Sequence, residues 1–204
     1  MDSAELDPFS AKQADRSGPV IPPSRTALLL VDLVNDFVDP NGKMPVSGAD
    51  AMLKANAGLV EAARRAGALV VWIRPGHLEA ADGLFRKRIE HAMEGTWGAR
   101  IHASLPIADG ERVLAKRRYS AFFGTDLDLY LREHDIARVV VTGVALNICV
   151  RSTVHDAFFH GYDVWVVREA SMATGPREEA STLYDIQTHF GQVVTITHLQ
   201  EAWA

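Results

Sequence analysis

Six short apolar runs, none longer than a β-strand, constrain the architecture of this 204-residue chain more than any other feature. They read "TALLLV" from Thr26, "ALVVWIR" from Ala68, "ERVLAK" from Glu111, "ARVVVTG" from Ala137, "DVWVVRE" from Asp163 and "QVVTITH" from Gln192. The first is apolar throughout, the pattern of a strand covered on both faces, and it is too short for a buried helix. Helical spacing fills the intervals. Residues 47–66 carry Met52, Ala55, Leu59, Val60 and Ala63 on one face, with Gly67 as the expected terminator. Further helices are expected at 85–93, at 126–134 with Thr125 as N-cap, at 149–160 ended by Gly161, and at 177–190. Strands alternating with helices imply right-handed crossovers. The expected fold is α/β, a Rossmann-like three-layer sandwich around a mainly parallel six-stranded sheet.

A hydrophobic content of 48% suits one globular domain, assigned to residues 25–204, and residues 1–24, with Pro19, Pro22 and Pro23, read as an extended arm. A net charge of −5 argues against nucleic-acid and anionic-membrane partners. The apolar runs are too short to span a bilayer, and the N-terminus lacks the basic-then-apolar order of a signal peptide. A single cysteine forms no internal disulfide, which fits a cytoplasmic setting. No glycine-rich phosphate loop is present, so no nucleotide cofactor is expected.

Open parallel sheets bind ligands beyond the carboxyl ends of their strands. Asp32 closes the first expected strand, Lys116 the third, and Cys149 follows the fourth by a short turn. A carboxylate, an ammonium and a thiol on one edge form a coherent acyl-transfer set. Asp32 takes the thiol proton, Lys116 steadies the anions, and backbone amides of the turn from Val144 to Cys149 meet an oxyanion. Each residue also has an ordinary reading: a buried small apolar filler for Cys149, a turn residue for Asp32, a solvated amine for Lys116.

The motifs "ALLLVDLVNDF", "LAKRRYSAFFGTDLDLYLRE" and "VTGVALNICVRSTVHDAFFHGYDVWVV" resemble, in that order, those of the isochorismatase-like cysteine hydrolases, from Thr26 to the C-terminus. Within that superfamily the segments "KRRYSAFFGTDLD" and "ATGPREEASTLYDIQTHFGQV" look most like the ureidoacrylate and N-carbamoyl amidohydrolases. The resemblance implies catalytic roles for Asp32, Lys116 and Cys149, a cis peptide at Val144–Ala145, and an oxyanion hole from the amides of Ala145 and Cys149. It also implies self-association into a dimer or tetramer.

Leu146 stands where the family usually has threonine, three residues before the cysteine. His77 is the only match to the histidines that hold metal in the nicotinamidases, and zinc needs three or four ligands, so no metal is expected. Asn35, Phe37, His77, Tyr119, Phe123 and Leu146 are the candidate substrate contacts, with Trp72 and Trp97 as further aromatic candidates; the bland alternatives are turn, core or solvent positions. The expected activity is metal-independent, cofactor-free cleavage of a linear C–N bond in a small amide or ureide. Nicotinamidase activity, vinyl-ether hydrolysis and a catalytically silent binding subunit are the alternatives.

Overall fold

A computed structural model describes residues 20–204. Most of the expected N-terminal arm lies outside the described residues. Six strands form one sheet in the order β3-β2-β1-β4-β5-β6: β1 Thr26–Val31, β2 Leu69–Pro75, β3 Arg112–Lys116, β4 Arg138–Val144, β5 Asp163–Met172 and β6 Gln192–Val194. Every neighbouring pair is parallel.

The helices are α1 Asn35–Val38, α2 Asp50–Ala66, α3 Leu127–Glu133, α4 Arg151–Phe159, α5 Pro176–Asp185 and α6 Ile196–Ala202. Alternation along β1 divides the core. Ala27, Leu29 and Val31 meet Leu127 and Leu131 of α3, Val154 and Ala157 of α4, and Leu183 of α5. Leu28 and Leu30 face Met52, Leu59, Val60 and Ala63 of α2 and Leu199 of α6. Both faces of β1 are thereby removed from water, which is why its sequence shows no polar alternation. No helix among the described residues is long and apolar enough to cross a membrane.

Several expected elements differ in extent. Helix α2 begins at Asp50 rather than 47 and ends at Gly67, whose φ of +75° suits a residue without Cβ. The helix expected at 85–93 is a single 3-10 turn, Gly83–Arg86, followed by irregular chain. Helix α3 starts at Leu127 with Asp126 at its N-cap position, and the Thr125 hydroxyl accepts from the Leu127 amide. The run "QVVTITH" pairs only through Val194. Thr195 then caps α6 by accepting from the His198 amide, and the helix buries Leu199.

The sheet order reverses direction between β1 and β4, the switch point at which such sheets open a crevice. There Gly143 has φ +111°, and a Cβ on it would lie 2.0 Å from the Val31 carbonyl oxygen. Any larger residue would force β1 and β4 apart directly beneath Asp32 and Cys149.

Candidate active site

Asp32 is the first residue beyond β1. Its φ of +58° turns the chain away from the sheet, and its amide donates to the Ile73 carbonyl at 2.8 Å. The side chain is only 1% exposed. From the end of β3, Lys116 Nζ donates to Asp32 Oδ2 at 2.8 Å and to the Arg118 carbonyl at 3.0 Å. Eighty-four residues of sequence separate this pair, and both partners are buried. Asp32 Oδ1 has no hydrogen-bond partner among the described residues.

Cys149 lies in a π-helical turn, Leu146–Val150, that leads into α4. The amides of Ile148 and Val150 both donate to the Ala145 carbonyl, at 2.9 and 3.2 Å. The Cys149 carbonyl accepts from Thr153 Oγ1, which in turn accepts from the Ala121 amide. The turn is thus tied to the segment that follows Lys116. The peptide bond between Val144 and Ala145 is cis.

Electrostatics couple the three side chains. Burial pushes the Cys149 thiol well above its ordinary value and the Asp32 carboxylate adds to this, while Lys116 opposes it without prevailing. The resting sulfur is therefore a protonated thiol. For Lys116, burial favours the neutral amine, but Asp32 and Cys149 outweigh it and raise the pKa. The ammonium is held by its partners in a place that would otherwise discharge it.

The three residues line one cleft of about 740 Å³, counting the open space at its mouth. Phe37, His77, Tyr119 and Ala145 also line it. His77 is buried, not a solvated loop residue. Five sequence candidates fall elsewhere. Asn35 turns inward and donates to the Trp97 carbonyl at 2.8 Å, where it holds the loop after β1. Leu146 is fully buried in the core, because the π-turn points it at the sheet. Phe123 is 66% exposed and off the cleft. Trp72 is likewise core, its Nε1 donating to Glu111, and Trp97 is partly exposed outside the cleft.

The cleft also contains residues that spacing alone had not indicated: Arg88, His91, Arg118, Ile148 and Thr174. Thr174 follows the carboxyl end of β5, so the strand-end rule that located Asp32 applies to it as well. Arg88 and His91 lie in the irregular stretch after β2, which has no periodicity to read. Asp36, next to the cleft residue Phe37, is structural: it accepts from the amides of Lys43 and Ala92 and so pins two loops.

Among the described residues no group of three His, Cys, Asp or Glu side chains is placed to hold an ion. His77 and His91 each already engage Nδ1, with Asp82 at 3.2 Å and the Ile89 carbonyl at 2.7 Å. Two imidazoles do not make a zinc site, which takes three or four convergent protein ligands or three and a water.

Comparison with known proteins identifies the family. A model of the isochorismatase domain matches residues 26–198. The ureidoacrylate amidohydrolase RutB of Pantoea ananatis (strain LMG 20103) is 34% identical over 206 residues, covering 88% of this chain and 82% of the relative. An isochorismatase-like hydrolase from Alkaliphilus metalliredigens superposes with a TM-score of 0.84 at 34% identity, covering 88% of this chain and all of that one. A pyrazinamidase of Pyrococcus horikoshii, in complex with zinc, superposes with a TM-score of 0.78 at 29% identity, covering 84% and 99%. With its domain match, its six-stranded parallel sheet and its strand-end cleft, the chain belongs to the isochorismatase-like hydrolase family.

Proposed function

We propose that the protein is a cysteine-dependent amidohydrolase that cleaves the C–N bond of a small linear ureide or amide without a metal. The observation that carries this reading is the buried Asp32–Lys116 pair at the foot of the cleft, with one Asp32 oxygen left without a partner and Cys149 in electrostatic contact with both. A protonated thiol needs a base at the moment of attack, and that free oxygen is the base. The thiol proton moves to Asp32 as sulfur bonds to the substrate carbonyl carbon. The amides of Ala145 and Cys149 receive the oxyanion. Collapse breaks the C–N bond, and Asp32 returns the proton to the departing nitrogen. Water then attacks the thioester, Asp32 takes its proton, and the thiol is restored with release of the acid. Lys116 keeps the charge balanced at each stage.

The similarity to a ureidoacrylate amidohydrolase supports a ureide as the substrate class, and the cleft supports an acidic one. Lys116, Arg88 and Arg118 line it against a single carboxylate, Asp32, in a protein of net charge −5. Arg118 is paired with Asp82, but Arg88 has no hydrogen bond or ion pair among the described residues. Arg88→Ala is expected to raise KM for a ureido acid about tenfold with little change in kcat, the effect of losing one charge-assisted hydrogen bond at a partly exposed site. Equal effects on neutral amides would remove Arg88 from substrate binding.

A metal-dependent amidase is the second reading, favoured by the zinc-bound pyrazinamidase and by the two histidines in the cleft. Ammonia release measured across ureido acids, N-carbamoyl amino acids and simple amides, before and after exhaustive chelation, separates the two. Undiminished turnover of a ureido acid after chelation is expected. Activity lost to the chelator and restored by one divalent ion would establish the metal-dependent reading instead.

A further inference from the structure

Asp82 does not line the cleft, yet it holds three residues that do: His77, Leu84 and Arg118. Its side chain is fully buried. Oδ1 accepts from the Leu84 amide and from Arg118 Nη1, both at 3.1 Å. Oδ2 lies 3.2 Å from His77 Nδ1 and 3.4 Å from the Arg117 guanidinium. His77 and Leu84 belong to the segment after β2, whereas Arg117 and Arg118 follow Lys116 at the end of β3. One carboxylate therefore joins two walls of the cleft. Burial works against the charge on Asp82, but the Leu84 amide, His77 and Arg118 outweigh it and hold the carboxyl below its ordinary range.

Of the two arginines on Asp82, only Arg118 lines the cleft, and its side chain is 43% exposed. It is fixed at both ends. Its carbonyl accepts from Lys116 Nζ at 3.0 Å, and its Nη1 donates to Asp82 and to the Arg117 carbonyl. Nε and Nη2 have no hydrogen bond among the described residues. Those two nitrogens form one side of the guanidinium, and their parallel N–H bonds match the two oxygens of a carboxylate. Immobilising an arginine side chain costs up to about 2 kcal/mol of rotamer entropy. Here that loss accompanies folding, not ligand binding, so the fork is already in place when a ligand arrives. The one carboxylate of the cleft itself, Asp32, is bonded to Lys116 and leaves the fork open.

We propose that Arg118 is a specificity-determining residue that binds the carboxylate of a ureido acid through Nε and Nη2, and that Asp82 is the positioning residue that presents it. The proposal rests on the acidic-ureide reading for its substrate class, but it concerns binding and is tested without turnover. Charge alone makes the opposite forecast. Asp82 is an anion 3.1 Å from the guanidinium, so neutralising it strengthens the positive field at the cleft and should tighten an anionic ligand. If Asp82 positions Arg118, the same change loosens that ligand. The sign decides.

The test uses the full chain carrying Cys149→Ala, which binds without reacting, titrated calorimetrically with 3-ureidopropanoate and with its neutral counterpart, 3-ureidopropanamide. The acid is expected to bind this parent more tightly than the amide. Adding Asp82→Asn should weaken the acid about tenfold and leave the amide within about twofold, the loss of a charge-assisted hydrogen bond to the acid alone. Arg118→Ala should act in the same way, and Arg118→Lys should recover little, because lysine keeps the charge without the fork. On the Arg118→Ala background, Asp82→Asn should weaken the acid by no more than about twofold further, since the two residues act as a unit. Circular dichroism verifies that each variant is folded; should Asp82→Asn fail to fold, the Arg118→Lys titration decides alone. Unchanged or tighter binding of the acid in folded Asp82→Asn, equal losses for acid and amide, or full affinity in Arg118→Lys overturns the proposal. Failure of 3-ureidopropanoate to bind the parent overturns it too. Absence of ammonia release from 3-ureidopropanoate by the unmutated protein, with the preference for the acid intact, would defeat the hydrolase reading and leave this one standing.

Discussion

Cys149→Ala is expected to lower turnover of any substrate by about 10⁴-fold or more, the scale on which removal of a covalent nucleophile acts when the rest of the site survives. The fold should tolerate the change. Cys149 is small and borders the cleft, so its sulfur leaves little cavity, and the loss should stay near 1 kcal/mol. The backbone contacts that hold the turn use the Cys149 carbonyl, not its side chain. A mass-spectrometric arm makes the result specific to mechanism. Acid quenching of the unmutated enzyme during turnover should reveal a covalent acyl adduct on Cys149, absent from the variant. Because the resting thiol is held protonated by burial and by Asp32, alkylation of the free enzyme at neutral pH should be slow, and a substrate-like electrophile should label it faster than iodoacetamide. A folded alanine variant with more than a trace of activity would rule out the thioester and leave vinyl-ether hydrolysis or another cysteine-free reaction.

The contrast between what could and could not be read from sequence follows from how each residue is positioned. The residues beyond β1, β3 and β4 were legible because strand ends in a parallel sheet are fixed by topology, and apolar runs such as Leu28–Val31 mark the topology plainly. Asn35 and Leu146 lie within a few residues of that edge, yet the direction of a side chain depends on local turn geometry. The helical turn at Asn35–Val38 leaves Asn35 bonded to the Trp97 carbonyl, and the π-turn rotates Leu146 into the core. His91 and Arg88 were out of reach for a different reason. They sit in a segment without hydrophobic period, whose path is set by single polar anchors, such as Asp36 with the Ala92 amide and Asp82 with Arg118. The run read as the last strand is strand only over Gln192–Val194 and then enters the first turn of α6, since Val193, Val194, Thr195 and Ile196 are all β-branched and only the Thr195 cap marks the change.

Lys116→Met is expected to damage stability and catalysis together, and the two effects can be separated. Methionine preserves most of the buried stem but removes the ammonium that Asp32 Oδ2 accepts from. Oδ1 is already without a partner, so the variant would bury a carboxylate with no donor at either oxygen. Breaking a buried ion pair from one side costs about 3–5 kcal/mol, which for a domain of this size lowers Tm by roughly 10 °C. Removing both charges is milder, because no buried charge is left unpaired. Asp32→Asn with Lys116→Met should therefore recover much of the lost Tm, a coupling that a double-mutant cycle reads directly. Activity should not recover, since the base is gone. The pH dependence has a definite sign. Lys116 has a raised pKa in the folded state, so its contribution to stability is complete below the unfolded-state value and is lost only as pH climbs through the higher, folded value. The penalty of Lys116→Met should accordingly be full at neutral pH and shrink only in strong alkali. A double variant no more stable than Lys116→Met alone would mean that Asp32 finds another partner when the ammonium is absent, and the account of Lys116 as the partner on which this buried side chain depends would fail.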